Sequence, residues 1–424
     1  METTWPAMPN IQVKILGKLS SPLGYMIRDF LQRSDIPFQW VDLKNDGDAQ
    51  REAGVASLND SRLPVCVFSD GARLECPTLR QITEKLGWFR EPSRSEYDLA
   101  IYGAGPAGLS AAVYGASEGL TTVLVERLAI GGQASSSSKI ENYLGFPCGI
   151  SGADLAERAR EQACRFGAEI LLAREGVRGE FLPGRGVGYL ADGRKIVAKA
   201  NICATGVEYR RLNLPDETRF LGAGVYYGAG ASEVSLCSAG DHVFISGGGN
   251  SAGQAAMHFS RVAGSVTIVV RGSSLKDTLS QYLLDRIQAT PNIHVMANTE
   301  VTAIEGDEVL RSITLTDRQT GESKVCATNS LFVCIGGAPN TVWAQEVGII
   351  RDDAGYLVTG PDLLSENRPP RNWPLDRHPY YLETSMPGVF AAGDVRHGSV
   401  KRCASAVGEG AMAVALVHRY LSGG

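Results

Sequence analysis

Short apolar runs alternate with amphipathic stretches along the chain, a pattern that predicts a mixture of strands and helices. In residues 10–90 the pattern predicts strands at 11–16, 38–43 and 63–68, and helices at 24–34 and 79–86. A polar linker at 93–96 closes this region, and an apolar strand at 97–102 opens the next. The 424 residues are therefore expected to form an α/β protein of several domains.

The strand at 97–102 runs into a glycine-rich turn, Gly103-Ala104-Gly105-Pro106-Ala107-Gly108, and then into an alanine-rich helix. In a dinucleotide-binding turn the first glycine permits the tight bend, the second admits the pyrophosphate, and the third lets helix and strand pack closely. Backbone N–H groups and the helix dipole then hold the pyrophosphate. The next strand ends at Glu126, which is placed to accept hydrogen bonds from an adenosine ribose.

A second strand–turn–helix unit follows later in the chain, with the turn Gly247-Gly248-Gly249-Asn250-Ser251-Ala252. Its G-x-G-x-x-A form predicts a second dinucleotide site. The strand after it ends without an acid, and Arg271 and Lys276 stand nearby to pair with a 2′-phosphate. We therefore expect NADPH or NADH at this site, with NADPH preferred. A second FAD and a vestigial site are the alternatives.

An apolar strand near the C-terminus indicates that the first site holds FAD. It ends at Gly393-Asp394, and a helix with two glycines follows. Asp394 can bind the ribityl hydroxyl groups of a flavin, and the N-terminus of the helix can stabilise negative charge on the flavin pyrimidine ring. The apolar strand at 200–204 and the run 331–336 fit a chain that returns between two such domains.

Residues 97–424 resemble the low-molecular-weight thioredoxin reductase family. The resemblance is carried by the two glycine-rich turns, Gly131-Gly132-Gln133, Glu141-Asn142-Tyr143, Ala204-Thr205-Gly206 and the run that ends at Gly393-Asp394. It implies a homodimeric flavoprotein with two Rossmann-like domains, an FAD domain at 97–210 and 334–424 and an NAD(P) domain at 211–333. It places Gly132, Gln133, Asn142, Thr205 and Gly206 at the FAD site. Arg402 and Cys403 match the helix start over the flavin pyrimidine edge.

The chain departs from this family at the redox C-x-x-C motif. The two cysteine positions are Gly228 and Ala231, and Ser232 replaces the neighbouring acid. A disulfide cannot be relayed through glycine and alanine, and none of the nine cysteines has C-x-x-C spacing. The catalytic residue is therefore left unassigned. The candidates expected near the flavin are Tyr227, Gly228, Ala231, Ser232 and Cys403.

Residues 10–90 resemble the thioredoxin or glutaredoxin fold in the order of their predicted elements. Pro64, at the start of the third strand, fits the proline that those folds place beside the active site. Where a glutaredoxin has C-x-x-C, this chain has Ser21-Pro22-Leu23-Gly24, so thiol chemistry is not expected there. The resemblance implies a thioredoxin-like domain that serves for docking or for stabilising a dimer.

Composition and charge limit which kinds of partner the protein is expected to bind. The net charge of −5 and the lack of a basic run argue against nucleic acid as a partner. No apolar run is long enough for a membrane span and no signal peptide is visible, so we expect a cytoplasmic protein with reduced cysteines. The six histidines show no metal-ligand spacing, and no metal site is expected.

Three functions fit these features. The first is an NAD(P)H-dependent FAD oxidoreductase whose acceptor is a small molecule, a redox protein such as ferredoxin, or oxygen. The second is an oxidase or dehydrogenase of a small organic substrate bound in the gap between Gly228 and Ser232. The third is a flavin-binding sensor or scaffold without catalysis.

Overall fold

The computed structural model describes residues 13–182, 184–228, 234 and 237–423. The first region contains β1 (Val13–Gly17), α1 (Pro22–Arg33), β2 (Phe38–Asp42), α2 (Asp46–Ala53), β3 (Val65–Phe68), β4 (Arg73–Glu75) and α3 (Leu79–Lys85). Its sheet has the order β2-β1-β3-β4, with β2 parallel and β3 antiparallel to β1. All five predicted elements are present, although residues 10–12 lie outside the described part. The sequence prediction lacks α2 and β4.

Helix α1 is fixed at its start by local hydrogen bonding. Ser21 Oγ accepts the backbone N–H of Gly24 at 3.1 Å, and Pro22 occupies the first helical position, where a missing N–H costs nothing. One face of the helix is buried against its own sheet through Ile27, Phe30 and Leu31. The opposite face is turned toward the rest of the chain.

A second sheet begins after the linker. Its elements are β5 (Tyr97–Tyr102), α4 (Pro106–Ser117), β6 (Thr122–Val125), α5 (Gly152–Arg165), β7 (Glu169–Leu171), β8 (Gly176–Leu182), β9 (Arg185–Leu190) and β10 (Lys195–Cys203). The strand order is β7-β6-β5-β10-β9-β8; β5, β6, β7 and β10 run parallel, while β8 and β9 form an antiparallel hairpin. The predicted strand at 122–125 coincides with β6, all of which is buried.

The chain then enters a third sheet. The elements are β11 (Glu208–Tyr209), β12 (Val225–Tyr227), β13 (His242–Ser246), α6 (Asn250–Phe259), β14 (Ser265–Val269), α7 (Gln281–Ala289), β15 (Ile293–Met296), β16 (Thr299–Gly306), β17 (Leu310–Asp317), β18 (Ser323–Ala327), β19 (Leu331–Val333) and β20 (Gly337–Ala338). The main sheet is parallel, in the order β12-β19-β13-β14-β15. Strands β16 to β18 form a small antiparallel sheet. Strands β11 and β20 pair where the chain enters and leaves the part that contains the third sheet.

The C-terminal part returns to the second sheet. It contains α8 (Val342–Glu346), β21 (Val389–Ala391) and α9 (Cys403–Leu421). Strand β21 pairs in parallel with the end of β10, so its carboxyl end lies at the same edge of the sheet as that of β5, with β10 between them. The predicted α/β class is confirmed. None of the described helices is long and apolar enough to cross a membrane.

Candidate active site

The turn between β5 and α4 leaves room for a ligand at one glycine. Gly103 has φ +103°, and a Cβ on it would lie 2.4 Å from the carbonyl oxygen of Ala204. A Cβ on Gly108 would lie 1.8 Å from the carbonyl oxygen of Gly103, so helix and strand touch there. At Gly105, in contrast, the nearest atom to a Cβ is 4.0 Å away. A pyrophosphate could therefore approach the backbone at Gly105 and the N-terminus of α4.

Glu126 stands at the end of β6 beside this turn. Its carboxylate is nearly buried and accepts the backbone N–H groups of Ala104 at 2.7 Å and Leu128 at 2.8 Å. Each carboxylate oxygen keeps a second lone pair, which a ribose hydroxyl could use. Glu126 thus combines a fixed position with spare acceptor capacity.

A cavity lies at the carboxyl ends of β5 and β6, next to the glycine-rich turn and Glu126. Gly103, Glu126 and Thr205 line it, together with Tyr102. The phenol oxygen of Tyr102 is buried and has no hydrogen-bond partner among the described residues, and burial raises the pKa of Tyr102. Such an orphaned donor in a cavity is the kind of group that a bound ligand satisfies. The cavity therefore fits the adenosine half of a dinucleotide.

The Gly393-Asp394 turn packs against the first turn of α4. Gly393 has φ +78°, and a Cβ there would lie 2.9 Å from the Cβ of Ala107. The carboxylate of Asp394 has no hydrogen-bond partner among the described residues, and burial raises its pKa. Glu409, which the sequence prediction lacks, accepts the backbone N–H of Gly393 at 2.7 Å and pairs with Arg396 at 2.6 Å. Asp394 is thus held at the site with free acceptor atoms.

Helix α9 begins beside Asp394. Arg402 is its N-cap residue and makes no side-chain cap, which leaves the first N–H groups of the helix available. Burial raises the pKa of Cys403, the first residue of α9, so this thiol stays protonated near neutral pH. Lys401 Nζ donates to the backbone oxygen of Asp394 at 2.7 Å. These residues could hold the polar edge of a flavin.

The remaining residues predicted for the FAD site divide into two groups. Gly132 faces Gly105, and Gln133 Nε2 donates to the backbone oxygen of Val207 at 2.7 Å. Gly206, with φ +64°, follows Thr205 at the cavity. Asn142 is exposed on the segment between Ile140 and Ile150. The structure therefore gathers these residues around the first turn, except Asn142, which no contact places there.

The turn between β13 and α6 repeats the geometry of the first. Gly247 has φ +139°, and a Cβ on it would lie 2.2 Å from the carbonyl oxygen of Cys334. A Cβ on Gly249 would meet no atom within 4 Å, whereas Ala252 is completely buried. Asn250 Oδ1 accepts the backbone N–H of Ser280 at 2.8 Å, and Ser251 is exposed. The open glycine again marks where a pyrophosphate could approach.

Arg271 and Lys276 are both exposed just beyond β14. The carboxyl end of this strand lies beside the second glycine-rich turn, because β13 and β14 are parallel neighbours. The side chains of Arg271 and Lys276 could therefore reach a phosphate on the ribose of a nucleotide bound at Gly249.

Tyr227 and Gly228, two of the candidates expected near the flavin, lie at the end of β12. Tyr227 donates its hydroxyl to the buried Glu217, and burial raises the pKa of Tyr227 to about 12. Gly228 follows with φ +98°, and a Cβ on it would lie 2.6 Å from the phenol oxygen of Tyr209. Ala231 and Ser232 lie outside the described residues. No group of potential metal ligands occurs among the residues that the structure describes.

The chain is similar to proteins of known family. Residues 97–410 match the family described as pyridine nucleotide-disulphide oxidoreductase. The chain is 33% identical to a thioredoxin reductase of Treponema pallidum (strain Nichols), over 77% of this chain and 98% of that one. It is 35% identical to a thioredoxin reductase of Streptomyces clavuligerus, over 77% and 94%. The crystal structure of Lactococcus lactis thioredoxin reductase in its FR conformation is similar with a TM-score of 0.68 and 28% identity, over 77% and 99%.

The family uses FAD and NADPH, and the solved structures have FAD and NAD(P) domains of the Rossmann type. The second and third sheets of this chain match those domains. The free carboxylate of Asp394, the orphaned hydroxyl of Tyr102 and the open glycines at 105 and 249 fit the two dinucleotides. The chain belongs to the pyridine nucleotide-disulphide oxidoreductase family and is similar to its thioredoxin reductases.

Proposed function

We propose that the chain is an FAD-dependent oxidoreductase that takes hydride from NADPH or NADH and delivers it to an acceptor without a disulfide relay. FAD, when bound, supplies the two-electron chemistry between nicotinamide and acceptor. The residues of the chain bind and orient the two nucleotides. The acceptor would meet the flavin directly.

The observation that carries this proposal is the packing at Gly228. Tyr209 Oη lies 3.1 Å from Ser136 Oγ and 2.6 Å from the place of a Cβ on Gly228. The phenol of Tyr209 therefore occupies the space that a reactive thiol at position 228 would need. The left-handed backbone at Gly228 adds strain to any side chain there.

Neighbouring cysteines do not offer an alternative relay. The thiol of Cys334 lies 3.2 Å from the backbone oxygen of Gly228, but it is buried, and burial raises its pKa to about 12. A thiol that stays protonated is a poor nucleophile. All nine cysteines lie in the described part of the chain, and no two of them are joined by a disulfide.

The electron acceptor, the oligomeric state and the cellular location are part of the same proposal. We expect a small molecule or a redox protein such as ferredoxin as the acceptor, and a homodimer in the cytoplasm, by analogy with the family. The N-terminal unit, residues 10–90, of which 13–90 are described, is proposed to be a thioredoxin-like docking domain because its sheet order and strand directions fit that fold. The alternative of a substrate pocket beside Gly228 is not favoured, because Tyr209 fills the adjacent space.

The proposal is tested by following the flavin absorption band of the purified protein under anaerobic conditions. NADPH or NADH should bleach the band, and the reduced protein should turn over 2,6-dichlorophenolindophenol. Oxidised thioredoxin and the disulfide reagent DTNB should not be turned over. Bleaching with neither nucleotide would contradict the oxidoreductase, and thioredoxin turnover at the rate of the dye would contradict the missing relay.

A further inference from the structure

The family match begins at residue 97, yet Arg33 of helix α1, before that point, hydrogen-bonds to the FAD domain. Arg33 Nη2 donates to the backbone oxygen of Gly132 at 2.8 Å, and its Nε donates to Ser135 Oγ at 3.0 Å. Its Nη1 donates to Asp29 Oδ2, one turn earlier on α1, at 3.3 Å. The guanidinium is thus held by its own helix and directed at one turn of the FAD domain.

That turn, Gly131 to Ser136, forms a wall of the pyrophosphate site. A Cβ on Gly132 would lie 3.0 Å from the Cα of Gly105, the open glycine of the first turn. The backbone N–H of Gly131 donates to the carbonyl oxygen of Ala104 at 2.7 Å. The N–H of Ala104 in turn donates to Glu126 at 2.7 Å. A shift of this turn would therefore reach both the pyrophosphate loop and the ribose-binding acid.

The turn needs support from outside. Gly131 and Gly132 both have positive φ, at +91° and +55°, and paired glycines lose much conformational freedom when they become ordered. The turn continues as a 3-10 helix over Gly132–Ser136, and the hydroxyl of the buried Ser135 donates to the carbonyl oxygen of Gly132 at 2.8 Å. Arg33 adds a charged donor to that oxygen from outside the turn and a donor to the same hydroxyl. Hydrogen bonds from a charged group are the stronger kind.

We propose that Arg33 is a positioning residue for FAD, and that the N-terminal unit thereby completes the FAD site within the same chain. Arg33 acts through the Gly131–Ser136 turn and need not touch the cofactor. The charge and the fork of the guanidinium both contribute, since one end fixes a carbonyl oxygen and the other a hydroxyl. The proposal concerns FAD binding alone and holds whichever acceptor the enzyme uses.

The test is FAD binding by the full-length apoprotein, followed by the quenching of flavin fluorescence. R33A should raise the dissociation constant about tenfold or more, the loss expected when a charge-assisted contact to the wall of the site is removed. R33K should restore part of the affinity, because lysine keeps the charge but lacks the second arm. R51A, which removes an exposed arginine on α2, is the matched control and should bind like the parent.

The same titrations decide between positioning and a general effect on folding. The urea midpoint of the apoprotein should be the same for R33A and R51A, and the losses from R33A and S135A should be less than multiplicative in the double variant. Unchanged FAD affinity in R33A would overturn the proposal. So would an R33K variant as weak as R33A with an equal drop in apoprotein stability, because the residue would then act only in folding.

Discussion

The rings of Tyr25 and Tyr226 lie 5.8 Å apart and join helix α1 to strand β12 of the NAD(P) domain. Tyr25 directly follows the Ser21–Gly24 stretch, and Tyr226 closely precedes Gly228. The contact therefore joins the start of α1 to the end of β12, just before Gly228. Since Arg33, two turns along the same helix, contacts the FAD domain, α1 touches both nucleotide domains.

Replacing Tyr25 with alanine should loosen the N-terminal unit from the NAD(P) domain. The side chain packs so closely that a Cβ on Gly222 would lie 2.3 Å from the Cβ of Tyr25. An aromatic pair contributes about 0.5–1.5 kcal/mol beyond its buried area, so we expect a local loss of about 1–3 kcal/mol. Hydrogen–deuterium exchange over residues 220–228 measures it. M26A, at a neighbouring side chain that is 46% exposed, is the control, and equal protection in both variants would contradict the interface.

Restoring the motif with G228C and A231C should not restore disulfide reduction. The left-handed φ of Gly228 costs a cysteine about 1–3 kcal/mol, and the phenol of Tyr209 blocks its Cβ. The double variant should therefore be less stable than the parent and inactive with DTNB and NADPH. Adding Y209A removes the clash but not the strain, and should recover part of the lost stability. DTNB turnover by the first double variant would show that the site still accepts a relay.

The glycine-rich turns, their strands and the α/β class could be predicted because each has a local sequence signature. Arg33, Tyr209 and Glu409 could not, since their roles depend on partners in other elements of the fold. Arg33 meets Ser135 and Tyr209 meets Gly228 only once separate sheets have packed together. Helix α2 has only two buried residues, both alanines, so its hydrophobic pattern is too weak to predict a helix. The pairing of β16 with β17 has two register shifts, which interrupt the alternation of buried and exposed positions.

Arg271 should determine the preference for NADPH. Its exposed guanidinium stands beyond β14, where the ribose of a nucleotide on the second turn would lie. R271A should raise the KM for NADPH roughly tenfold and leave the KM for NADH nearly unchanged, because only the 2′-phosphate is affected. Steady-state dye reduction with each nucleotide measures both constants. R311A, on the exposed side of β17, is the control, and an equal rise for both nucleotides would refute the role.

Asp98 should make stability depend on pH in the acid range. Burial acts to raise its pKa, but hydrogen bonds from Lys199 at 2.7 Å and from the Thr121 hydroxyl at 2.7 Å outweigh it, so the pKa is lowered from 3.8 to about 2. A lowered folded-state pKa gives stability that is present above the unfolded value and lost as pH falls through the folded one.

D98N should accordingly be less stable than the parent at neutral pH. The gap should narrow as pH falls from about 4 to about 2, because the parent loses the stabilisation in that window. Urea midpoints at a series of pH values measure the gap. D277N, at an exposed acid, is the control, and its urea midpoint should change with pH as that of the parent does. A difference in urea midpoint between D98N and the parent that stays constant down to pH 2 would rule out the linkage.

Alanine at the two open glycines should separate the two cofactors. A Cβ on Gly105 or on Gly249 meets no protein atom closer than 4 Å, so both variants should fold. In each case the methyl group would enter the path of one pyrophosphate. G105A should therefore lose affinity for FAD, while G249A should keep its flavin and lose reduction by NADPH. G108A, whose Cβ would lie 1.8 Å from a carbonyl oxygen, should fail to fold and serves as the contrasting control. Flavin content after purification and the rate of bleaching by NADPH distinguish the three variants, and loss of both cofactors in G249A would show that the two sites do not act separately.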